Sequence, residues 1–385
     1  MRAGSIIAGA FLTLFVGTGS LFSFPAFFTP LGEAFHAPLQ ALSSTQSIAL
    51  FFYFIFGAVG GLIASHREPR NVVLVGAVLT GIGFAVCATA KEFFQVTIGF
   101  ASVGIGVGLS FVPAIAAVLR HFPPPNGGLQ FGLAASGGGL GVVLLPIASL
   151  HLLSTLGWRL AFGAFAALSV AAGPLAWLAI GSSDSQTQSR DNPGLSRPMR
   201  SQAFLLIFFA GLLASPGLHI PFVHLVPFAT NAGLAASTAV MMLLFVGVGN
   251  IVGRPLFGIL GDKLQHRRVL AGLFLVLATL LACWTIMNVA WQLVAFALLF
   301  GGIYGGAVAL TPALISDYFP PQIASTLIGF AYLSVAPGAL LGPALSGYAF
   351  GQFHSYSLPI IVSAVLAALS AVLVWFAHKP ADKYQ

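Results

Sequence analysis

Apolar runs of about twenty residues or more alternate with short polar breaks along the whole chain. They fall at about 5–28, 44–64, 71–90, 94–120, 128–154 and 159–181, then 201–229, 236–260, 268–288, 292–316, 324–350 and 357–377. A hydrocarbon layer about 30 Å thick is crossed by roughly 20 residues of helix, so these runs predict membrane-spanning helices. A membrane β-barrel would instead show strands of about 10 residues with alternating polarity. The pattern predicts twelve spans, six and six, around one long polar stretch, Gly181-SSDSQTQSRDNPGLSRPMR-Ser201. Rich in Ser, Pro and charge, that stretch reads as a linker. The expected organisation is a six-helix bundle over 1–181, a cytoplasmic linker over 182–200 and a second six-helix bundle over 201–385.

Composition sharpens this picture. Of 385 residues, 58% are apolar and 6% charged, against about 25% charged in soluble domains, so a water-soluble globule is excluded. Twelve spans use about 240 to 300 residues and leave no room for a soluble domain. The net charge is +7, but the fifteen Lys and Arg are scattered and do not form the basic face that nucleic acid needs. They act as a topology signal. With the N-terminus inside, Arg2, Arg67, Arg70, Arg120, Arg190, Arg197, Arg200, Lys263, Arg267, Arg268, Lys379 and Lys383 lie on the cytoplasmic side, and Lys91 and Arg159 opposite. Excess Lys and Arg mark the cytoplasmic side, so both termini are expected there. The first run is too long for a signal-peptide core and is read as a retained span. Cys87 and Cys283 lie in apolar runs and form neither a disulfide nor a zinc framework.

The sequence also repeats itself. A shift of 197 residues places Gly61 on Gly258, Arg70 on Arg267, Phe122-Pro-Pro on Phe319-Pro-Pro, and Gly132, Ala134, Gly141, Leu144 and Pro146 on Gly329, Ala331, Gly338, Leu341 and Pro343. One offset serving three regions predicts two pseudo-symmetric halves, an arrangement in which transporters place their site between the repeats at mid-membrane. Gly57 with Gly61, Gly137 with Gly141, Gly249 with Gly253 and Gly338 with Gly342 give spans two, five, eight and eleven a four-residue small-residue spacing suited to close helix packing. Gly247-VGNIVG looks like a dinucleotide fingerprint but lacks the strand and turn that would make it one. No zinc-protease motif, phosphate loop or nucleophile elbow is present, so neither an enzyme nor a resident cofactor or metal is expected.

These residues resemble the major facilitator superfamily. Its loop signature after the second span, of the Gly-x-Leu-x-Asp-Arg-x-Gly-Arg type, is similar to Gly258-ILGDKLQHRR, with Asp262 and Lys263 in the acidic and basic places; the first-half copy, Gly61-LIASHREPR, has Ser65 where the Asp would be. Within that superfamily the chain is most similar to monocarboxylate transporters, through Ser23-FPAFF, Gly104-IGVGLSFVPA, Gly128-LQFGLAASGGGLG, Gly157-WR, His219-IPFVHLVPFA, Asn250-IVGRPLFG and Tyr304-GGAVALTPALISDYF. Animal members have an Asp at the place of Asn250 and a Lys in span one that is missing here. The resemblance implies an all-α membrane protein of the major facilitator fold. It also implies that spans five and eight, and two and eleven, meet between the halves, and that Asp262, Lys263, Arg267 and Arg70 belong to gating loops.

Arg254 is the sharpest single signal. An Arg at the centre of a span costs about 2.5 to 3.5 kcal/mol on insertion scales, and no Asp or Glu lies inside another span, since Asp262 and Asp317 are at cytoplasmic ends. Either it is a structural Arg bonded to backbone carbonyls or lining water, or it takes a substrate carboxylate through the two-pronged contact that guanidinium offers. Asn250, one turn earlier, shares its face and is read as orienting the Arg, touching substrate or simply packing. Tyr304, in a glycine-rich stretch, is a candidate donor to a carboxylate, with core packing as its alternative. His219 and His224 flank Pro221 in span seven; five residues apart they point in different directions, and packing is the competing role for each. Phe24 and Phe111 are candidate walls for an aliphatic tail.

The expected function is a secondary transporter of a bacterial inner membrane, moving a small monocarboxylate of the lactate or pyruvate kind by alternating access and coupled to protons on the strength of the resemblance. It is expected to work as a monomer in the bilayer. Organic-anion exchange of the oxalate/formate type, or a non-transporting anion sensor, are the alternatives.

Overall fold

The computed structural model describes residues 2–122, 128–182, 196–234, 236–353 and 355–380, and these are helical almost throughout. In order the helices are α1 (Arg2–Phe22), α2 (Phe28–Phe35), α3 (Leu39–His66), α4 (Pro69–Thr89), α5 (Phe93–His121), α6 (Gly128–Ile180), α7 (Ser196–Met199), α8 (Gln202–Asn231), α9 (Ala236–Leu264), α10 (His266–Trp284), α11 (Ala290–Tyr318), α12 (Pro321–Leu333), α13 (Ala336–Phe353) and α14 (Ser357–Phe376). Most of the linker, 183–195, lies outside the described residues.

Among the described residues, eleven helical stretches are long and apolar enough to cross a membrane. The 53-residue α6 is two spans joined end to end, since a straight helix of that length would reach about 80 Å, well over twice the hydrocarbon thickness. The joint is Gly157, at φ 74° and ψ 170°, a conformation open to glycine because it has no Cβ. Prolines account for other breaks. Pro25 starts a 3-10 turn over Phe24–Phe27 between α1 and α2. Pro337 lacks the N–H that Leu333 would bond, and α12 stops at Leu333 while α13 begins at Ala336. The outward faces carry Leu, Val, Ile and Phe, including Val75, Ile82, Leu178, Leu275 and Val365, each more than half exposed; lipid is the solvent such a surface requires.

The chain forms two compact units: Met1–Phe122, Leu133–Asn192 and Pro321–Gly329 in one, and Pro123–Gly132, Pro193–Pro320 and Phe330–Gln385 in the other. They differ from the contiguous halves of the sequence by two short segments, and glycine explains both. In the first unit a Cβ at Gly61 would strike the Ser325 carbonyl, and one at Gly329 would lie 2.7 Å from the Cα of Ala58. In the second, Gly258 approaches the Gly128 carbonyl and Gly132 the Arg254 and Pro255 backbone. The two sets are related by the same 197-residue shift.

Within each unit the repeat reappears as packing. Gly104 and Gly108 of α5 seat against Ala49 and Tyr53 of α3, and Gly301 and Gly305 of α11 seat against Val246 and Asn250 of α9. The Gln95 side-chain oxygen accepts from the Lys91 and Glu92 amides at the start of α5, as Gln292 does from Asn288 and Val289 at the start of α11. The first unit's core is aromatic, with Phe27 stacked on Phe162 at 4.1 Å and Phe84 against Phe165 at 5.4 Å.

Three of the four glycine pairs serve partners other than those expected. Gly137 and Gly141 pack on Phe11 and Phe15 of α1, Gly249 and Gly253 on Leu298 and Gly302 of α11, and Gly338 and Gly342 on Ser215 and Pro216 of α8. A small-residue stripe marks close approach but does not say to which neighbour, so the expectation that these pairs join spans five to eight and two to eleven is corrected. Those pairings use Gly128, Gly132 and Gly329 instead, with Gly61 as the exception that fits.

Candidate functional site

The second unit gathers the polar groups of interest. Arg254 lies about 15 Å along α9 from its end at Leu264, half the thickness of a hydrocarbon layer, and is only 6% exposed. Its Nε donates to Asn250 Oδ1 at 2.9 Å, one turn earlier on the same face. Asn250 is itself buried, so the guanidinium plane is fixed from one edge. The glycines of α11 set the depth of this arrangement. Gly301 and Gly305 allow the α9 backbone at Val246 and Asn250 to touch α11, and Tyr304 sits between them in sequence.

The Tyr304 and Tyr332 phenols both feel the Arg254 charge. Tyr332, near the end of α12, donates its hydroxyl proton to the Val308 carbonyl of α11 at 3.0 Å, which ties α12 to α11 beside this centre. His219 lies edge-on to Tyr304, ring centroids 6.0 Å apart, and Phe222 also lies edge-on to Tyr304, at 4.9 Å. His219 Nδ1 donates to the Ser215 carbonyl at 2.8 Å, which leaves Nε2 as the acceptor of the neutral ring. His224 turns elsewhere, and its Nε2 donates to the Pro343 carbonyl of α13 at 2.8 Å. The structure thus brings together Arg254, Asn250, Tyr304 and His219 and leaves His224 out.

Phe24 and Phe111 belong to the other unit. Phe24 is fully buried and stacked on Phe100 at 4.1 Å, so the expected cavity wall gives way there to core packing, as befits one Phe among 35. Phe111 is buried edge-on to Tyr53 at 5.6 Å. Among the loop residues, Asp262 accepts the amide protons of Gly128 at 2.9 Å and Leu129 at 3.1 Å, at the start of α6. Arg267 donates to the Trp375 carbonyl at 2.8 Å and lies 5.9 Å from that indole; Arg70 pairs with Glu68 at 2.6 Å and stacks over Trp177 at 4.5 Å. Lys263 is exposed. Among the described residues no cluster of three or more His, Cys, Asp or Glu is arranged to hold a metal.

Sequence reading passed over two residues. Tyr332 had no motif to mark it, only its place five residues before Pro337. His266 was in view within Gly258-ILGDKLQHRR, but its burial between Asp262 and Asp317 depends on how α9, α10 and α11 meet.

A helical chain of this span number, with a repeat seen in both sequence and packing, has a family. The model of the Major Facilitator Superfamily matches residues 9–289 and again 236–385. The chain belongs to that superfamily. It is a multi-pass membrane transporter and not an enzyme. Monocarboxylate transporter 13 of Bos taurus is 29% identical over 97% of this chain and 89% of its own length. An MFS-type transporter of Gibberella moniliformis is 28% identical over 95% and 88%, and monocarboxylate transporter 12-B of Danio rerio is 27% identical over 96% and 86%. These relatives are fungal and vertebrate. Among solved structures, a variant of the E. coli fucose:proton symporter FucP superposes with a TM-score of 0.81 at 16% identity, covering 98% of each chain. The xylose symporter XylE gives 0.75 at 16% identity, covering 98% of this chain and 96% of its own. At such identities the structures speak for the fold alone.

Proposed function

We propose that this superfamily member carries a small monocarboxylate, of the lactate or pyruvate kind, by alternating access and in symport with a proton. The observation that carries the reading is Arg254, buried at mid-depth in α9 with Nε held by Asn250. A guanidinium is planar and permanently charged, and it can meet a carboxylate through paired N–H···O contacts that are strong because both partners are charged. Tyr304 supplies a phenol that can donate to the same anion. One buried cation suits one carboxylate, whereas a dicarboxylate would call for a second. The similarity to monocarboxylate transporters 12-B and 13 supports the same class of cargo. In this reading the protein sits in a bacterial inner membrane, both termini inside, as the distribution of basic residues favours.

The cargo is tested by thermal shift of the purified protein with a panel of small carboxylates and their uncharged amides, because a ligand bound only to the native state raises stability. Stabilisation by lactate or pyruvate and not by the amides supports the reading; stabilisation by dicarboxylates alone overturns it. Coupling is tested in liposomes. A pH gradient is expected to drive accumulation, and His219→Gln to weaken accumulation more than substrate exchange, since exchange does not need the empty carrier to return. Exchange without any response to the gradient identifies an anion exchanger instead.

A further inference from the structure

His266 opens α10, is 3% exposed, and has a carboxylate at each ring nitrogen. Nδ1 stands 2.6 Å from Asp317 Oδ2 of α11. Nε2 stands 3.4 Å from Asp262 Oδ1 of α9, buried and without a hydrogen bond. With Nδ1 donating to Asp317, a neutral ring turns the Nε2 lone pair towards another acceptor, and the contact is repulsive. A proton on Nε2 converts it into an ion pair, since only the imidazolium donates from both nitrogens. Asp262 is also the acceptor for the Gly128 and Leu129 amides at the start of α6, and a Cβ at Gly128 would lie 2.9 Å from His266 Nε2. The imidazole, the carboxylate and the first turn of α6 therefore form one contact.

We propose that His266 makes this junction proton-sensitive: protonation holds Asp262 and the first turn of α6 together, and deprotonation loosens them. Among the described residues, the other ionisable groups of these helix ends are bonded elsewhere or exposed. Tyr318 of α11 donates to the Ala377 carbonyl at 2.6 Å and Arg267 of α10 to the Trp375 carbonyl, while Lys263 of α9 and Arg268 of α10 are exposed. Among the described residues, Asp262 and Asp317 are thus the carboxylates at the ring nitrogens. The junction is at the end of α9 rich in basic residues, distant from Arg254, and the inference does not depend on which substrate is carried.

The test is hydrogen exchange of the intact purified protein at about pH 6 and about pH 8, with histidine the side chain whose charge ordinarily changes near neutrality, and with labelling times scaled to the intrinsic rate. In the wild type, peptides covering 128–132 and 258–268 are expected to exchange about tenfold faster at the higher pH after that scaling, the sign of a local opening. His266→Gln, which cannot take the second proton, is expected to abolish the difference, and so is Asp262→Asn, which keeps an oxygen for the Gly128 and Leu129 amides but removes the charge that the protonated ring would pair with. Equal scaled exchange at both pH values in the wild type overturns the proposal with no variant needed. A pH effect that persists undiminished in either variant overturns it as well.

Discussion

At Arg254 the geometry separates charge from shape. Asn250 fixes the guanidinium through Nε at 2.9 Å, and an ammonium at this place would keep the charge but lose both the tether and the planar fork. Arg254→Lys is therefore expected to weaken binding of a monocarboxylate by about tenfold or more, at least about 1.4 kcal/mol, as measured by isothermal titration or by thermal shift with lactate. Wild-type affinity in the Lys variant would make Arg254 a structural residue. Gln265 shows strain at the same scale. It holds φ 76° and ψ 125° between α9 and α10, a region that side chains avoid, at a cost of order 1–3 kcal/mol. Gln265→Gly is expected to raise the melting temperature of the purified protein by a few degrees, since relief of that strain exceeds the few tenths to 1 kcal/mol of extra unfolded-state freedom that glycine brings.

At the scale of the helices, backbone contact does the positioning. A Cβ at Gly132 would lie 2.8 Å from the Arg254 carbonyl carbon and from the Pro255 Cα, so α6 and α9 must part to admit even one methyl group. Gly132→Ala is expected to destabilise the protein by about 1–3 kcal/mol, as overpacking does, and to reduce transport because the helix that moves carries Arg254. Gly163 is the control. Nothing lies within 4 Å of a Cβ there, and Ala is the better helix former by roughly 1 kcal/mol, so Gly163→Ala should match or exceed the wild type in melting temperature while transporting normally. Equal losses from the two variants would show that glycine at 132 has no special packing role.

At the scale of the whole molecule, the proposed orientation rests on charge. Twelve basic residues on one side against two on the other predict that a single cysteine in the 182–200 linker, in a variant lacking Cys87 and Cys283, is closed to impermeant thiol reagents added outside intact cells. A single cysteine at Ala232, which follows the end of α8, should react with them. The opposite labelling pattern would invert the topology. The same pair of variants reads out orientation in reconstituted vesicles, which is needed before any direction of transport is assigned.

The span count and the repeat could be read from the chain because each rests on local pattern: a helix needs about 20 apolar residues to cross a bilayer, and a duplicated unit keeps its offset. Arg254 was legible for the same reason, as an ion in an apolar run. The partners across helices were not legible. In a membrane the lipid-facing and the protein-facing sides of a helix are both apolar, so periodicity does not mark the buried face. That is why Phe24 proved to be core, why Gly137 and Gly141 pack on α1, and why Gly249 and Gly253 pack on α11. Tyr332 beside Arg254, and His266 between Asp262 and Asp317, are likewise products of tertiary structure. Residues far apart in the chain meet there because glycines let particular backbones touch, and the crossing of helices, which no single segment encodes, decides which side chains share a site.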